Sequence, residues 1–323
     1  MIVQNYQKSS QNQTILSEIL LLGFQSVSSY KFVLLSTFTI VYIFIFSGNL
    51  LVILVIVSNG LLHSPMYFFL CNLSLLEILS TNIIIPKMLQ VVLGGVTISL
   101  YGCLTQLSLF GIIFATENLL FVVMSYDRYL AICRPLHYSS IMHFWNCCCL
   151  SANCWTTSFL LLVIPFVFLS KQDFCGRVDA IDHFFCDFGP VLSLSCSDTS
   201  NLKIVVYFVS PLSVLCPFLF IIMTYVSIIR SVLKVPSVTG KKKAFSTCSS
   251  HLSVVSTYYV TLCMVYLVPS IGRSSQVNKV LSLLYTIVTP LLNPFIYSLN
   301  NRDIKAAIVL TIKRNVRGIK VKQ

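Results

Sequence analysis

The stretch Met124-Ser125-Tyr126-Asp127-Arg128-Tyr129-Leu130-Ala131-Ile132-Cys133 sets an acid and an arginine side by side at the end of a long apolar run. That run begins near Leu104 and carries a single charge, Glu117, before it reaches Asp127. About 20 mostly apolar residues in a helix cross a hydrocarbon core, so the run reads as a membrane span with the Asp-Arg pair at one face. Arg128 alone would serve as a topological anchor. Asp127 beside it cancels that charge and argues for a further role. Cys103 stands 25 residues before Arg128, a helical rise of roughly 37 Å, so a thiol and the pair mark opposite faces.

The rest of the chain matches this reading. Of 323 residues 56% are hydrophobic and only 10% charged, against about 25% charged in a soluble domain. Apolar runs at 32–57, 66–93, 104–132, 147–169, 204–229, 244–267 and 280–299 predict an all-α membrane protein. Seven spans form one bundle over 32–299, between an N-terminal tail over 1–31 and a basic C-terminal tail over 300–323 that suits a short amphipathic helix on the membrane surface.

An odd number of spans puts the termini on opposite sides. With the N-terminus outside, the inner side holds 14 of the 22 Lys and Arg, against the acids Asp127 and Asp303. Basic residues concentrate on the cytoplasmic flanks of spans, so a multi-pass plasma-membrane protein with a cytoplasmic C-terminus is expected. Lys241, Lys242 and Lys243 then act as a topology signal, and also as a contact for membrane lipid. The bases flank spans and do not gather on one face of a soluble module, which argues against a nucleic-acid partner. The polar first residues show no cleavable signal. Asn12-Gln13-Thr14 is a glycosylation acceptor if this tail lies outside.

Further motifs stand in register with the spans. Gly48-Asn49 lies in span one, and Leu62-His63-Ser64-Pro65-Met66-Tyr67-Phe68-Phe69-Leu70 opens span two. Lys243-Ala244-Phe245-Ser246-Thr247-Cys248-Ser249-Ser250-His251-Leu252 opens span six, and Pro290-Leu291-Leu292-Asn293-Pro294-Phe295-Ile296-Tyr297-Ser298-Leu299 closes span seven. Together with Asp127-Arg128-Tyr129 these resemble the odorant receptors among rhodopsin-like G-protein-coupled receptors, over nearly all of the chain after the N-terminal tail.

The resemblance implies a seven-transmembrane, rhodopsin-like bundle without catalytic residues. A small-molecule odorant binds within it, and a stimulatory olfactory-type G protein answers by raising cyclic AMP. Asp127, Arg128, Tyr129, Lys243, His251, Asn293, Pro294 and Tyr297 are the implied activation residues. Pro294 removes a backbone donor, and Asn293 is expected to satisfy the freed carbonyl. The implied ligand pocket comprises Gly111, Phe114 and Ala115 on span three and Ser210 and Ser213 on span five. Tyr259, Leu262, Cys263 and Tyr266 on span six and Leu283 and Thr286 on span seven complete it. This set is apolar with a few hydroxyls and no charge, which suits a neutral volatile molecule.

Four cysteines, Cys103, Cys175, Cys186 and Cys196, fall outside by this topology and allow three pairings. The family pattern implies Cys103 with Cys186, leaving Cys175 with Cys196. His183-Phe184-Phe185-Cys186-Asp187 resembles a metal-binding segment proposed in odorant receptors, but a disulfide-bonded Cys186 cannot act as a thiolate ligand. The loop is therefore expected to be a structural lid.

Carboxylates inside a bilayer are costly and usually face the bundle interior with a partner. Glu77 and Glu117 are such groups, and two like charges in low dielectric cannot both stay ionised. A shared sodium ion or proton is expected there, with Asn49 and Asn293 nearby; no other metal or cofactor is. A proton-relaying transporter would show paired discontinuous helices or repeated halves, and neither is visible. A retinal receptor needs a lysine within span seven, and 281–299 contains none. Enzyme signatures of the zinc-peptidase, nucleophile-elbow and phosphate-loop kinds are missing as well.

Overall fold

The computed structural model describes residues 16–175, 179–267, 275–301 and 303–309. Asn12 and the chain past 309 lie outside the described residues, as do the side chains of Lys243 and Tyr266. Six spans run Lys31–Ser58, Pro65–Gly94, Leu100–Cys133, Phe144–Ser170, Ser200–Leu233 and Val238–Leu267. The seventh is built from Ser275–Leu283, Leu284–Val288 and Thr289–Asn300. Among the described residues, the six spans other than Val238–Leu267 are long and apolar enough to cross a membrane by length and composition. Val238–Leu267 has 30 residues and opens on the polar run Val-Thr-Gly-Lys-Lys-Lys.

The helices overrun the apolar stretches because hydropathy marks the hydrocarbon, while backbone hydrogen bonding continues into the polar interface. Span three starts at Leu100 since Ser99 caps it, its hydroxyl accepting from the Gly102 amide at 3.1 Å. Spans five and seven each contain a π-helical turn, Pro211–Leu215 and Leu284–Val288, with prolines inside or just after it. Prolines cannot supply the helical donor, and the wider turn rotates the helix beyond it.

Span three occupies the centre, packed against spans two, four, five and six. Span one is peripheral. It buries Ile45, Asn49, Val52 and Ile56 and exposes Ile40, Ile43, Phe44 and Leu51. A full apolar outer face is tolerable only against lipid.

A three-stranded sheet at the end bearing the N-terminus departs from the purely helical expectation. β1 (Glu18–Leu21) pairs antiparallel with β2 (Val96–Ser99) and parallel with β3 (Asp179–Ile181). Ile19 and Leu21 of β1 are fully buried. The segment read as a tail is thus partly a strand that sews the loops before spans three and five together. Two disulfides brace the same cap, Cys103–Cys186 with Cα atoms 5.5 Å apart and Cys175–Cys196 at 5.8 Å.

Candidate functional site

At the end of the bundle opposite the sheet, span three carries Asp127 and Arg128 into the interior, 0% and 8% exposed. The Arg128 Nε donates to Asp127 Oδ2 at 2.8 Å, and a second guanidinium nitrogen bonds the same oxygen. Asp127 Oδ1 accepts from the Tyr138 hydroxyl at 2.9 Å. Tyr138 sits on the short helix Pro135–Ile141, and burial followed by the Asp127 charge raises the pKa of its hydroxyl. Both carboxylate oxygens are therefore engaged and the arginine is held. Tyr129 stacks on Tyr126, ring centroids 6.3 Å apart. On span six, His251 is fully buried; its Nδ1 shares a 2.6 Å hydrogen bond with the Tyr225 hydroxyl of span five. Neither Tyr138 nor Tyr225 stands out in the sequence, because each is one tyrosine among 15.

Midway through the bundle lie Glu77 and Glu117, 2% and 9% exposed. Asn293 donates its amide to Glu77 Oε1. Its expected role at the freed carbonyl falls to another residue: Asn49 Nδ2 donates to Ile45 O at 3.0 Å and to Pro290 O at 3.4 Å. Pro290 O is the carbonyl that Pro294, four residues on, cannot bond. Gly48 is equally constrained, since a Cβ there would meet Pro294 Cγ at 3.2 Å. Asn49 thus spends its amide on backbone, apart from the carboxyl pair. Glu117 Oε1, Asn293 Oδ1 and Ser74 Oγ are buried without a hydrogen-bond partner, as is the Tyr297 hydroxyl.

Next to Glu117 stands a residue the sequence reading misses. Asn118 is fully buried. Its Nδ2 donates to Phe114 O at 2.9 Å and to the Tyr258 oxygen at 2.7 Å, while its Oδ1 accepts from the Tyr259 hydroxyl at 3.0 Å. Adjacent tyrosines of span six are thereby knotted to one amide of span three. Phe218 of span five packs on Tyr259 with centroids 4.6 Å apart.

The expected pocket residues separate into neighbourhoods. Gly111, Ser210 and Ser213 line one cavity of about 190 Å³ between spans three, four and five, with Ser108 and Leu162. Phe114 borders the Asn118 knot, its ring centroid 5.9 Å from that of Tyr258, and Ala115 and Leu262 are buried. Leu283 packs in the cluster of Phe184, Phe185 and Phe110, and the Thr286 hydroxyl is turned onto Ser282 O at 2.7 Å. Cys263 departs from expectation. It is exposed on the face it shares with Val260 and Met264, at helical spacings of three and four residues. That face points out of the bundle, so Cys263 is not brought to the others.

At the sheet end, Gln106 ties the cap to the helices, donating to Ile83 O at 2.9 Å and accepting from the Cys186 amide at 3.0 Å. Lys279 lies inside the helix of span seven, which begins at Ser275 and not at 280, and it is 1% exposed. Its Nζ donates to Gly23 O and to Asp182 Oδ1, each at 2.5 Å. Beside it His183 is buried with both ring nitrogens partnerless. Burial and then the Lys279 charge push its pKa down to about 4. In the same segment Cys186 is disulfide-bonded and Asp187 caps the Phe188 amide at 2.8 Å.

Comparison with known proteins agrees with this arrangement. A family model described as olfactory receptor matches residues 38–314. Human olfactory receptor 11A1 is 43% identical over 308 residues, covering 95% of this chain and 97% of the relative. Mouse olfactory receptor 1M1 is 44% identical over 307 residues, covering 95% and 98%. Among solved structures, squid rhodopsin superposes with a TM-score of 0.70 at 18% identity over 90% of this chain and 87% of its own, a likeness of fold. The chain belongs to the olfactory receptor family, multi-pass plasma-membrane G-protein-coupled receptors that sense odorants and are not enzymes.

Proposed function

We propose that this receptor binds small neutral volatile molecules in a site that begins at the cavity between spans three, four and five and extends toward spans six and seven, and that it signals through a stimulatory olfactory-type G protein to raise cyclic AMP. The observation that carries the ligand class is the cavity at Gly111, Ser210 and Ser213. Its volume of about 190 Å³ lies below the roughly 300–1,000 Å³ of drug-sized pockets. Its lining is apolar apart from Ser108, Ser210 and Ser213 hydroxyls and holds no charged side chain. Lys279, the one buried cation near the outer end among the described residues, is neutralised by Asp182. Phe114, Ala115, Leu262, Leu283 and Thr286 are proposed to extend the site.

In the same reading the N-terminus is outside, with Asn12 glycosylated, and the Arg128 end meets the G protein and the lipid of the inner leaflet. Arg128 is held by Asp127 at rest and released when span six moves. Tyr259 relays ligand contact through Asn118, and His251, Asn293, Pro294, Tyr297, Tyr129 and Lys243 belong to the moving parts. Glu77, Glu117 and Asn293 would hold a sodium ion or a shared proton. The partnerless oxygens of Glu117, Asn293 and Ser74 support a hard cation, which takes oxygen ligands.

The decisive experiment is a cyclic-AMP readout in cells expressing the receptor with the stimulatory G protein, screened against diverse volatiles. Neutral odorants with one hydrogen-bonding group are expected to lead. A panel headed by charged amines would overturn the ligand class, and a response independent of the stimulatory G protein would overturn the coupling.

A further inference from the structure

At the Arg128 end, a groove of about 430 Å³ runs between spans five and six. Ile229 and Leu252 form its outward lips, 44% and 40% exposed, while Val232 and Cys248 are buried at 2% and 5%. The lining contains no acid, and its one charged residue is Lys242. From Lys242 the groove follows span six to Leu252 and Ser253. Ten residues of helix cover about 15 Å, which is half of the roughly 30 Å hydrocarbon core. The groove thus has a cation at its mouth and an apolar length equal to one leaflet.

Charge complementarity indicates the occupant. Lys242 is solvent-facing, as are Arg230 and Lys234 at the end of span five, and neither ion pair found among the described residues involves any of them. A zwitterionic headgroup would leave this positive rim uncompensated, whereas an anionic one would not.

We propose that the groove holds one acyl chain of an anionic phospholipid, with Lys242 against its headgroup phosphate. This deepens the reading that the Arg128 face meets the inner leaflet and rests on it.

The test uses the full-length receptor in phosphatidylcholine vesicles containing a trace of phosphatidylserine with a photoactivatable acyl chain, with adducts mapped by peptide mass spectrometry. Adducts are expected on the segments 225–232 and 242–253, competed by unlabelled phosphatidylserine and not by water-soluble glycerophosphoserine. A phosphatidylcholine probe with the same chain should label them several-fold less. Lys242→Gln, an exposed change that leaves the core intact, should weaken competition about fivefold, and Leu252→Trp should abolish the groove adducts by filling it. Equal labelling by both headgroups, or labelling unchanged in Lys242→Gln, overturns the site. If phosphatidylserine labels only the C-terminal tail, the groove is refuted while the broader inner-leaflet reading stands. If it labels neither, both fall.

Discussion

Asn49 on span one donates to the Pro290 carbonyl of span seven, the acceptor left without its helical donor by Pro294. A buried carbonyl stripped of its partner costs about 1–3 kcal/mol. Asn49→Ala is therefore expected to lower the thermal stability of the purified receptor by that order. In a Pro294→Ala background the helix regains an amide at 294 that can reach Pro290, so Asn49→Ala should cost much less there. Equal losses in both backgrounds would show that Asn49 acts elsewhere.

Asn118 joins spans three and six through Tyr258 and Tyr259. Removing the amide takes away the acceptor of the buried Tyr259 hydroxyl and loosens a polar knot between these helices. Asn118→Ala is expected to raise ligand-independent cyclic AMP several-fold while reducing stability by about 1–3 kcal/mol. Tyr259→Phe deletes a single bond and should give a smaller rise. A stable, silent Asn118→Ala variant would remove the knot from the activation path.

These pairings explain which features the sequence discloses. Apolar runs and flanking bases reveal spans because lipid acts on every residue in the run. A single asparagine in an apolar helix carries no periodic signal, and the partners of Asn118 lie 140 and 141 residues away. The sheet escapes for a similar reason: β1 has four residues, and its pairing with residues 96–99 and 179–181 is wholly tertiary. Asp127-Arg128 is legible because its two charges are adjacent. Tyr138, which completes the pair's hydrogen bonding, is not.

Glu77 accepts from Asn293, while Glu117 Oε1 is buried without a hydrogen-bond partner. If they share a cation, Glu77→Gln or Glu117→Gln should flatten the sodium dependence of the odorant response; if they share a proton, its pH dependence. Concentration–response curves at several sodium concentrations and pH values distinguish the two, and curves unchanged in both would eliminate a shared ion.

The Lys279–Asp182 pair is lopsided, since the lysine side chain is 1% exposed and the aspartate 43%. Asp182→Asn strands a buried ammonium, a loss of about 3–5 kcal/mol at full burial and less here because Asp182 reaches water. Lys279→Met removes the buried charge and leaves a carboxylate that water can solvate. Asp182→Asn should therefore reduce thermal stability and surface delivery more than Lys279→Met does. The reverse order would mean that the ion pair is not what anchors the cap.

His183 makes the cap acid-sensitive. Its pKa in the folded cap is about 4, below the ordinary 6.5, because the charged form would be buried beside the Lys279 ammonium. A group depressed by folding contributes its stability above the unfolded value, and the contribution is lost as pH falls toward the folded one. Weakening should begin near pH 6.5 and grow toward pH 4, with a full contribution on the order of 3 kcal/mol. Asp187 opposes this trend, since burial raises its pKa and favours the cap at low pH. The histidine share is isolated by His183→Phe, which keeps the stacking with Phe184 at 4.7 Å and removes the titration. Hydrogen exchange of the peptide over 179–186 should accelerate between pH 7 and 5 in the parent and change less in His183→Phe. Parallel acceleration in both would assign the acid sensitivity to other groups.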